Sequence, residues 1–377
     1  MSFRTLICWA FLLSGMIIFS GCEKEIVQHD IEGEIQQLIT SNNLPSLTAC
    51  IIKNDDIVWA KTYGYSNLED GIEADEETIY HIGSISKLFI VTAIMQLEEH
   101  DLIDLNNDIS NYLPIILRHP SYPDIPITTR MLLTHTAGFS SPQNYDGEKG
   151  MWNQFEPDQG PPPSEWVPQF LIPSGIYYDR NLWNSVEPGT YELYSNIGFC
   201  IAAYIVEQIS GENFRDYCKD HIFAPLNMHS TSYNYSDLDW NKIAIMYNAQ
   251  NVGSNYFDNR VYSSGGAKST IMDLSHFASC YMNKGILNGQ RILKENSINK
   301  ILEIQNHASG RCLAWEEYIG DWFGHTGGLL LGAATTLLIN PKSRTGIIIF
   351  TNSHSGLVTP GGDIFWLVKQ KANNYIY

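Results

Sequence analysis

The feature that most constrains this chain is the apolar segment Leu88–Leu97, which directly follows the tetrapeptide Ser84-Ile85-Ser86-Lys87. The segment reads LFIVTAIMQL, is apolar nearly all the way round, and is too long for an ordinary strand. We therefore predict a buried helix rather than a strand or a surface helix. Polar side chains at the head of this helix are expected to lie in a poorly hydrated place.

The start of this predicted helix carries a hydroxyl and an amine that are three residues apart in the sequence. At about 100° per residue, Ser84 and Lys87 lie about 60° apart on one face, whereas Ser86 points to the opposite side. Desolvation disfavours the ammonium form of Lys87 and lowers its pKa, so that the amine can accept the seryl proton. The helix start also offers N–H groups and a positive dipole end to an oxyanion. Ser84 is thus the candidate nucleophile, with Ser86 as a spectator.

An S-x-x-K spacing alone says little, because Ser297 and Lys300 repeat it in a polar stretch. Two later motifs strengthen it, since S-x-x-K serine enzymes also carry a polar S-D-N type triplet and a K-T-G strand, in that order. Here Tyr194–Asn196 and then His325–Gly328 follow the serine. A second Tyr-Ser-Asn, at residues 65–67, precedes the serine and falls in a predicted hairpin, so we set it aside.

These motifs resemble those of the serine β-lactamase and penicillin-binding-protein superfamily. The closest resemblance is to the branch around class C β-lactamases, with its D-Ala-D-Ala carboxypeptidases, D-aminopeptidases and family VIII-type esterases. The resemblance covers nearly all of the chain after its N-terminal segment. Hallmark stretches are HIGSISKLF from His81, TTRMLLTHTAGF from Thr128, EPGTYELYSNIGF from Glu187, IFAPLNM from Ile222, SSGGAKSTIMDLSHF from Ser263, GHTGG from Gly324 and LLINPKSRTGIIIFTNS from Leu337.

The resemblance implies a role for each catalytic residue. Ser84 is expected to be the acylated nucleophile and Lys87 its proton partner. Tyr194 replaces the serine of S-D-N type triplets, as in class C relatives, and its phenol would act as a phenolate or as a proton relay. Asn196 would orient Lys87 and hydrogen-bond the amide of the substrate.

The strand with His325, Thr326, Gly327 and Gly328 is expected to form the opposite wall of the cleft. The resemblance implies that the backbone N–H of Gly328 and that of Ser84 form an oxyanion hole. Glycines suit a backbone that approaches a ligand closely.

His325 departs from the pattern of β-lactamases and most carboxypeptidases, which carry lysine there. Histidine, with a reference pKa of about 6.5, is mostly neutral at pH 7, so recognition of a substrate carboxylate is expected to be weaker. The esterase and aminopeptidase members of the branch resemble this chain at that position.

The element pattern predicts an α+β fold, and the resemblance implies that it is of the β-lactamase/transpeptidase-like type. Predicted strands near both ends supply one antiparallel sheet flanked by helices, while the middle forms a mainly helical second lobe. We place the α/β lobe at about residues 31–83 and 285–377 and the helical lobe at about 84–284, with the serine helix at their junction. The strands are predicted at Leu47–Lys53, Ile57–Tyr63, Leu313–Tyr318, Ala333–Ile339 and Thr345–Thr351, and terminal helices at Ile31–Ser41 and Phe365–Asn373.

The N-terminal segment is typical of export. Residues 1–21 are predicted to be a signal peptide, and Phe19-Ser20-Gly21-Cys22 resembles a bacterial lipoprotein box. Lipidation of Cys22, followed by a tether over residues 22–30, would anchor the protein to a membrane by acyl chains in the bacterial cell envelope. An uncleaved anchor helix and a plain secretory signal are the alternatives.

Composition excludes several other classes of function. A formal net charge of −18 repels phosphate backbones, so nucleic acid is not expected as a partner. Five of the seven cysteines remain after Cys8 in the signal peptide and Cys22 at the lipidation site are set aside. This odd, scattered set indicates buried free thiols, with one disulfide as the alternative. The sequence has no G-x-S-x-G elbow, no H-E-x-x-H and no glycine-rich phosphate loop, so we expect no metal and no cofactor.

The sequence therefore predicts a serine hydrolase that works through an acyl-enzyme. Its partner is a small-molecule substrate, either an ester or a peptide that contains D-amino acids, and β-lactams are a further substrate class. The alternative function is a non-catalytic or slowly deacylating penicillin-binding sensor, or a peptidoglycan-binding lipoprotein.

Overall fold

The computed structural model describes residues 30–140, 150, 152–318 and 320–375 of the 377-residue chain. The predicted signal peptide, the lipidation site Cys22 and the tether, apart from Asp30, lie outside the described residues. Residues Ile31–Tyr377 form a single compact unit. Among the described residues, no helix has both the length and the apolar character that crossing a bilayer requires.

Helices occupy both ends and most of the middle of the described chain. The α-helices are α1 (Ile31–Ser41), α2 (Ser86–Glu99), α3 (Thr129–Leu133), α4 (Pro163–Leu171), α5 (Asn196–Ser210), α6 (Phe214–Cys218), α7 (Tyr262–Gly265), α8 (Ile271–Met282), α9 (Glu295–Leu302) and α10 (Asp363–Asn373). A short 3-10 helix, Gly83–Ile85, immediately precedes α2.

The long strands lie near the two ends of the chain. The strands are β1 (Ser46–Lys53), β2 (Asp56–Asn67), β3 (Ile72–Glu73), β4 (Tyr80–His81), β5 (Gln154–Phe155), β6 (Asp258–Asn259), β7 (Lys268–Ser269), β8 (Ile286–Leu287), β9 (Gln290–Arg291), β10 (Glu316–Glu317), β11 (Phe323–Leu329), β12 (Ala333–Asn340) and β13 (Thr345–Thr351).

One antiparallel sheet joins the two ends, in the order β10-β11-β12-β13-β1-β2-β3. The N-terminal strand β1 pairs with the C-terminal strand β13 on one side and with its hairpin partner β2 on the other. This confirms the predicted α+β fold, in which sequence-distant ends supply one sheet. The division into two lobes stays a prediction.

Alternating residues of the central strands enter two different cores, because side chains of a strand point to opposite faces in turn. In β13, Ile347 and Ile349 pack with α1 and α10, whereas Ile348 and Phe350 belong to the large core with α2, α5 and α8. Both faces are covered, which explains why all seven residues of β13 are buried. The strand is correspondingly a nearly continuous apolar run in the sequence.

The predicted serine helix is confirmed as α2, and it is buried nearly all the way round. The ring of Phe89 packs edge-on against Phe223 and Phe277, at centroid distances of 4.8 and 4.9 Å. Helix α2 itself begins at Ser86, two residues after the nucleophile, because Ser84 lies in the preceding 3-10 turn.

One predicted strand is largely wrong. Of residues Leu313–Tyr318, only Glu316 and Glu317 form a strand, β10, which pairs briefly with β11. Ala314 adopts a φ of 64°, in the left-handed region, and its N–H donates to the carbonyl of Leu133, 2.9 Å away, so it cannot continue a ladder.

Candidate active site

The Ser84 turn is held tightly against β11. Gly83 has a φ of 53°, which favours glycine, and a Cβ built on it would lie 2.7 Å from the backbone nitrogen of Gly328. The Ser84 N–H lies in the first turn of a helix, where N–H groups have no partner within the helix itself. The turn therefore brings the backbone of Ser84 and that of Gly328 close together, as the predicted oxyanion hole requires.

Lys87 is fully buried and hydrogen-bonds three different parts of the fold. Its Nζ lies 3.0 Å from Ser84 Oγ, 2.7 Å from Asn196 Oδ1 and 2.8 Å from the carbonyl oxygen of Ser264. The pKa of Lys87 is lowered to about 7, mainly by burial and to a smaller extent by Arg311. The direction and its cause agree with the desolvation expected from the sequence.

These partners suit a neutral amine. Asn196 Oδ1 and the carbonyl of Ser264 can only accept, so they take the two N–H bonds of an –NH₂ group. The lone pair of Lys87 Nζ is then left for the third neighbour, the hydroxyl of Ser84. The geometry therefore allows Lys87 to receive the seryl proton without breaking either of its other two hydrogen bonds.

Tyr194 approaches Ser84 from the other side. Its hydroxyl donates to Ser84 Oγ over 2.6 Å, and Lys87 Nζ lies 4.9 Å from the centre of its ring. Although 36% of the residue is exposed, burial raises the pKa of its hydroxyl above the ordinary value of 10. A phenol with a raised pKa is neutral at pH 7, which favours the proton-relay role over the phenolate.

Asn196 is the first residue of α5, and the side chain that caps this helix belongs to its neighbour. Ser195 Oγ accepts from the N–H of Gly198 over 3.3 Å, as an N-cap serine does. The Asn196 side chain therefore reaches Lys87, 109 residues away in the chain, while Ser195 caps the N-terminus of the helix.

β11 carries the last predicted site residues, and its two glycines differ in their surroundings. A Cβ on Gly327 would lie 2.0 Å from the carbonyl oxygen of Ile82, so a larger residue cannot fit there. A Cβ on Gly328 would meet nothing nearer than 3.8 Å, at His354. Gly327 is thus required by the fold, whereas nothing in the described fold crowds Gly328, which is exposed. Thr326, between His325 and Gly327, is half-buried.

His325 is buried, with 3% of its surface exposed, and its ring centre lies 6.5 Å from that of Tyr194. Burial, together with the nearby Lys87, lowers its pKa to about 3. The imidazole is therefore neutral at pH 7, which agrees with the expected absence of a permanent charge at this position.

Other partners in the structure engage the decoy motifs, which are the second S-x-x-K pattern, Ser297 and Lys300, and the second Tyr-Ser-Asn triplet at residues 65–67. Ser297 donates to a carboxylate oxygen of Glu99, and Lys300 forms an ion pair with Glu98. The hydroxyl of Ser297 and the amine of Lys300 therefore each have a glutamate partner. Residues 65–67 end strand β2, as the predicted hairpin implied. Ser86 donates to the carbonyl of Gly83 and accepts from the N–H of Ala267, so it has a structural role.

Sequence reasoning missed three contributors to the site. Ser264 supplies a backbone carbonyl, which leaves no side-chain signature in a sequence. His135 lies against Tyr194, with ring centres 4.4 Å apart, although the sequence marks it only as part of the family-like stretch TTRMLLTHTAGF. Arg311 is a buried cation paired with Glu192 and Glu316, and nothing in its local sequence marks it.

Comparison with known proteins gives a consistent result. The family model described as Beta-lactamase matches residues 31–364. PbpX of Bacillus subtilis strain 168, named as a penicillin-binding protein, is 24% identical over 332 residues, covering 86% of this chain and 75% of its own length. Protein flp of Staphylococcus aureus strain MW2 is 22% identical over 346 residues, and the match covers 88% of this chain but only 64% of flp.

Solved structures share the fold. An octameric penicillin-binding protein homologue from Pyrococcus abyssi superposes with a TM-score of 0.70 at 25% identity, covering 86% of this chain and 73% of that one. The D-alanine carboxypeptidase AmpC of Burkholderia cenocepacia gives a TM-score of 0.70 at 17% identity, with coverages of 92% and 97%. A class C β-lactamase mutant gives 0.73 at 17% identity, with coverages of 90% and 96%.

Proposed function

Because this chain belongs to the Beta-lactamase family, we propose that it is a serine hydrolase that works through an acyl-enzyme at Ser84. One observation carries the proposal. Ser84 Oγ lies between Lys87 Nζ, at 3.0 Å, and the hydroxyl of Tyr194, at 2.6 Å. A nucleophile within hydrogen-bond reach of its base and of a second proton carrier is the arrangement that nucleophilic catalysis needs.

Acylation follows from the positions of Lys87 Nζ and the Tyr194 hydroxyl beside Ser84 Oγ. Ser84 Oγ attacks the substrate carbonyl carbon, and its proton passes to the lone pair of Lys87 Nζ, which stays hydrogen-bonded to Asn196. The C=O electron pair moves onto the oxygen, where the N–H groups of Ser84 and Gly328 would stabilise the negative charge. Collapse of this intermediate breaks the bond to the leaving group.

Tyr194 is suited to finish each half of the reaction. Its hydroxyl can give a proton to the departing oxygen or nitrogen, and the proton that Lys87 took from Ser84 then restores the phenol, since Lys87 Nζ lies 4.9 Å from the centre of the Tyr194 ring. Deacylation reverses the order: water gives its proton to the same pair of residues, adds to the acyl carbon and releases Ser84. Proton transfer of this kind contributes about 10²- to 10⁴-fold to the rate.

For substrates, we propose esters or peptides that contain D-amino acids, with β-lactams as a further acylating class. The neutral, buried imidazole of His325 supports this preference, since it offers a substrate carboxylate no permanent positive charge. The His325→Lys variant should then raise turnover of carboxylate-bearing β-lactams relative to neutral esters. An unchanged ratio would exclude His325 as the residue that sets this selectivity.

The decisive experiment follows protein mass over time after the full-length chain, purified in detergent, is mixed with a reactive ester or with a β-lactam. A transient adduct with continuing product release supports a hydrolase. A persistent adduct supports the alternative, a slowly deacylating penicillin-binding sensor. No adduct with either reagent would contradict the acyl-enzyme and leave a peptidoglycan-binding lipoprotein.

Two alanine variants provide matched controls for this measurement. Ser84→Ala should abolish the adduct, whereas Ser297→Ala, which removes the serine of the decoy S-x-x-K motif, should leave it intact. Anchoring in the cell envelope through a lipidated Cys22 is a separate proposal. It requires that Cys22→Ser move the protein from the membrane fraction to the soluble fraction.

A further inference from the structure

His135 occupies an unusual backbone position beside the site. It follows helix α3 and is buried, with 3% of its surface exposed. Its φ of 59° lies in the left-handed region, which costs a non-glycine residue on the order of 1 kcal/mol or more. Such strain persists where the surrounding contacts fix the residue, and it clusters at functional sites.

His135 contacts the residues on both sides of Tyr194, which is the residue that donates to Ser84. Its carbonyl oxygen accepts from the N–H of Leu193 over 2.8 Å, and its Nδ1 accepts from the N–H of Ser195 over 3.0 Å. Its ring packs on that of Tyr194, with centres 4.4 Å apart and planes inclined by 35°. One residue therefore fixes the backbone on both sides of Tyr194 and one face of its ring.

The hydrogen bond to Ser195 fixes the tautomer. An Nδ1 that accepts carries no proton, so the proton of the neutral imidazole is on Nε2. Burial lowers the pKa of His135 well below 6.5, and Arg311, Lys87 and His325 lower it further. The buried Nε2 forms no hydrogen bond with a described residue, which is a second unfavourable feature at this position.

We propose that His135 is a positioning residue, which aims the hydroxyl of Tyr194 at Ser84 Oγ by holding residues 193 and 195 and one face of the Tyr194 ring. The inference rests on the proposed function, because it assigns His135 a part in that proton transfer. Ser195 is also fixed from the other direction, since its side chain caps α5. The segment is thus held at both ends, with the phenol between them.

A purely structural histidine would behave differently on substitution. A packing role needs only an apolar ring, such as the contact with Phe199 at 5.0 Å. The positioning role needs an acceptor at the place of Nδ1 and a residue that tolerates the left-handed conformation. Asparagine meets both needs, because its Oδ1 occupies a place similar to that of Nδ1, whereas glycine tolerates the conformation and lacks the acceptor.

The test compares His135→Asn with His135→Gly in full-length protein, each alone and combined with Tyr194→Phe. Acylation of Ser84 by a chromogenic ester is followed under steady-state and single-turnover conditions. We expect His135→Gly to lower kcat by about 100-fold with KM within about 3-fold of the wild-type value, because proton transfer and not binding is lost. His135→Asn should restore kcat to within about 5-fold of the wild type.

The double variants show whether His135 acts through Tyr194. With Tyr194→Phe already present, either change at His135 should lower kcat by less than about 3-fold, because the hydroxyl to be aimed is gone. Near-UV circular dichroism monitors folding, and if His135→Gly is unfolded, the His135→Asn cycle with Tyr194→Phe decides alone. Equal losses in both His135 variants, or losses that Tyr194→Phe leaves unchanged, would overturn the proposal. A wild-type protein that never acylates Ser84 would instead contradict the proposed function.

Discussion

The protonation state of Lys87 determines whether Ser84 can lose its proton. Lys87 is fully buried, and burial is the largest cause of the lowering of its pKa to about 7. No anionic base is needed in this arrangement, because the amine itself becomes a base near neutral pH. The same burial that creates the base must also destabilise the folded protein whenever the amine would prefer to be charged.

The rate of Ser84 acylation should therefore rise with pH, with a midpoint near pH 7. Below the midpoint Lys87 is protonated and cannot accept the seryl proton, and above it the rate should reach a plateau. No decline is expected before strongly alkaline pH, since burial raises the pKa of Tyr194 and keeps its phenol neutral. Single-turnover acylation with a neutral ester, measured between pH 5 and pH 9, tests this, and a flat profile would exclude Lys87 as the base.

Replacing Lys87 with methionine should abolish acylation and stabilise the protein. An unfolded lysine keeps a pKa near 10.5, whereas the folded one is lowered to about 7, so the free energy of unfolding falls as pH decreases from 10.5 to 7. After allowance for the hydrogen bonds from Lys87 that Asn196 Oδ1 and Ser264 O lose, Lys87→Met should gain about 1–3 kcal/mol at pH 7. Urea unfolding at pH 7 and pH 10 measures the gain, which should shrink at the higher pH.

At the scale of elements, the site depends on the contact between the 3-10 turn Gly83–Ile85 and strand β11. Gly83 and Gly327 lie where the two backbones meet, and Thr335 on the neighbouring strand adds a hydrogen bond to the carbonyl of Ile82 over 2.9 Å. Gly328 is the next residue along β11, yet the nearest atom to its missing Cβ, in His354, lies at an ordinary contact distance of 3.8 Å. Glycine therefore occupies positions 327 and 328 for two different physical reasons.

Alanine substitutions should separate those reasons. Gly327→Ala places a Cβ 2.0 Å from the carbonyl oxygen of Ile82, so we expect a loss of at least about 3 kcal/mol in the free energy of unfolding. Gly328→Ala keeps its N–H and meets nothing within 3.8 Å, so its stability should change by less than about 0.5 kcal/mol.

Activity gives the second readout for Gly328→Ala. Its kcat/KM should fall for bulky substrates, because Gly328 is exposed and a methyl group there would narrow the space beside the proposed oxyanion hole. Urea unfolding and ester hydrolysis measure the two properties. A Gly328→Ala protein with normal activity on all esters would show that substrate does not approach this residue.

At the scale of the whole molecule, a buried ion network joins the segment of Tyr194 to the sheet. Arg311 Nε lies 2.9 Å from Glu192 Oε1, and its Nη1 lies 2.7 Å from Glu316 Oε1, with 7% of the arginine side chain exposed. Glu192 precedes Tyr194 by two residues, whereas Glu316 lies on β10, beside β11. The network therefore ties together two walls of the site that are far apart in the sequence.

Glu192→Gln should loosen this connection while keeping the shape of the side chain. Arg311 would lose one of its two carboxylate partners in a buried place, which should lower the free energy of unfolding by about 2–4 kcal/mol and also reduce kcat. Glu77→Gln is the matched control, because its ion pair with Lys242 is exposed and should contribute less than about 1 kcal/mol. Equal losses in the two variants would show that the network has no special role.

Sequence alone determined the features that depend on residues within one or two turns of each other. The apolar run after Lys87 predicted α2, the S-x-x-K spacing placed Ser84 beside Lys87, and β-branched runs predicted the strands that form the centre of the sheet. The order of the three motifs indicated the fold. Periodicity and spacing are local properties, so they can be read without knowing what packs against them.

Tertiary structure decided what depends on contacts between distant segments. It placed the carbonyl of Ser264 on Lys87, made His135 the support of Tyr194, and interrupted the predicted strand at Ala314, whose N–H is bonded to the carbonyl of Leu133. None of these follows from a local pattern, because a backbone carbonyl looks alike in every residue. A left-handed residue is likewise fixed by the packing around it rather than by its own side chain.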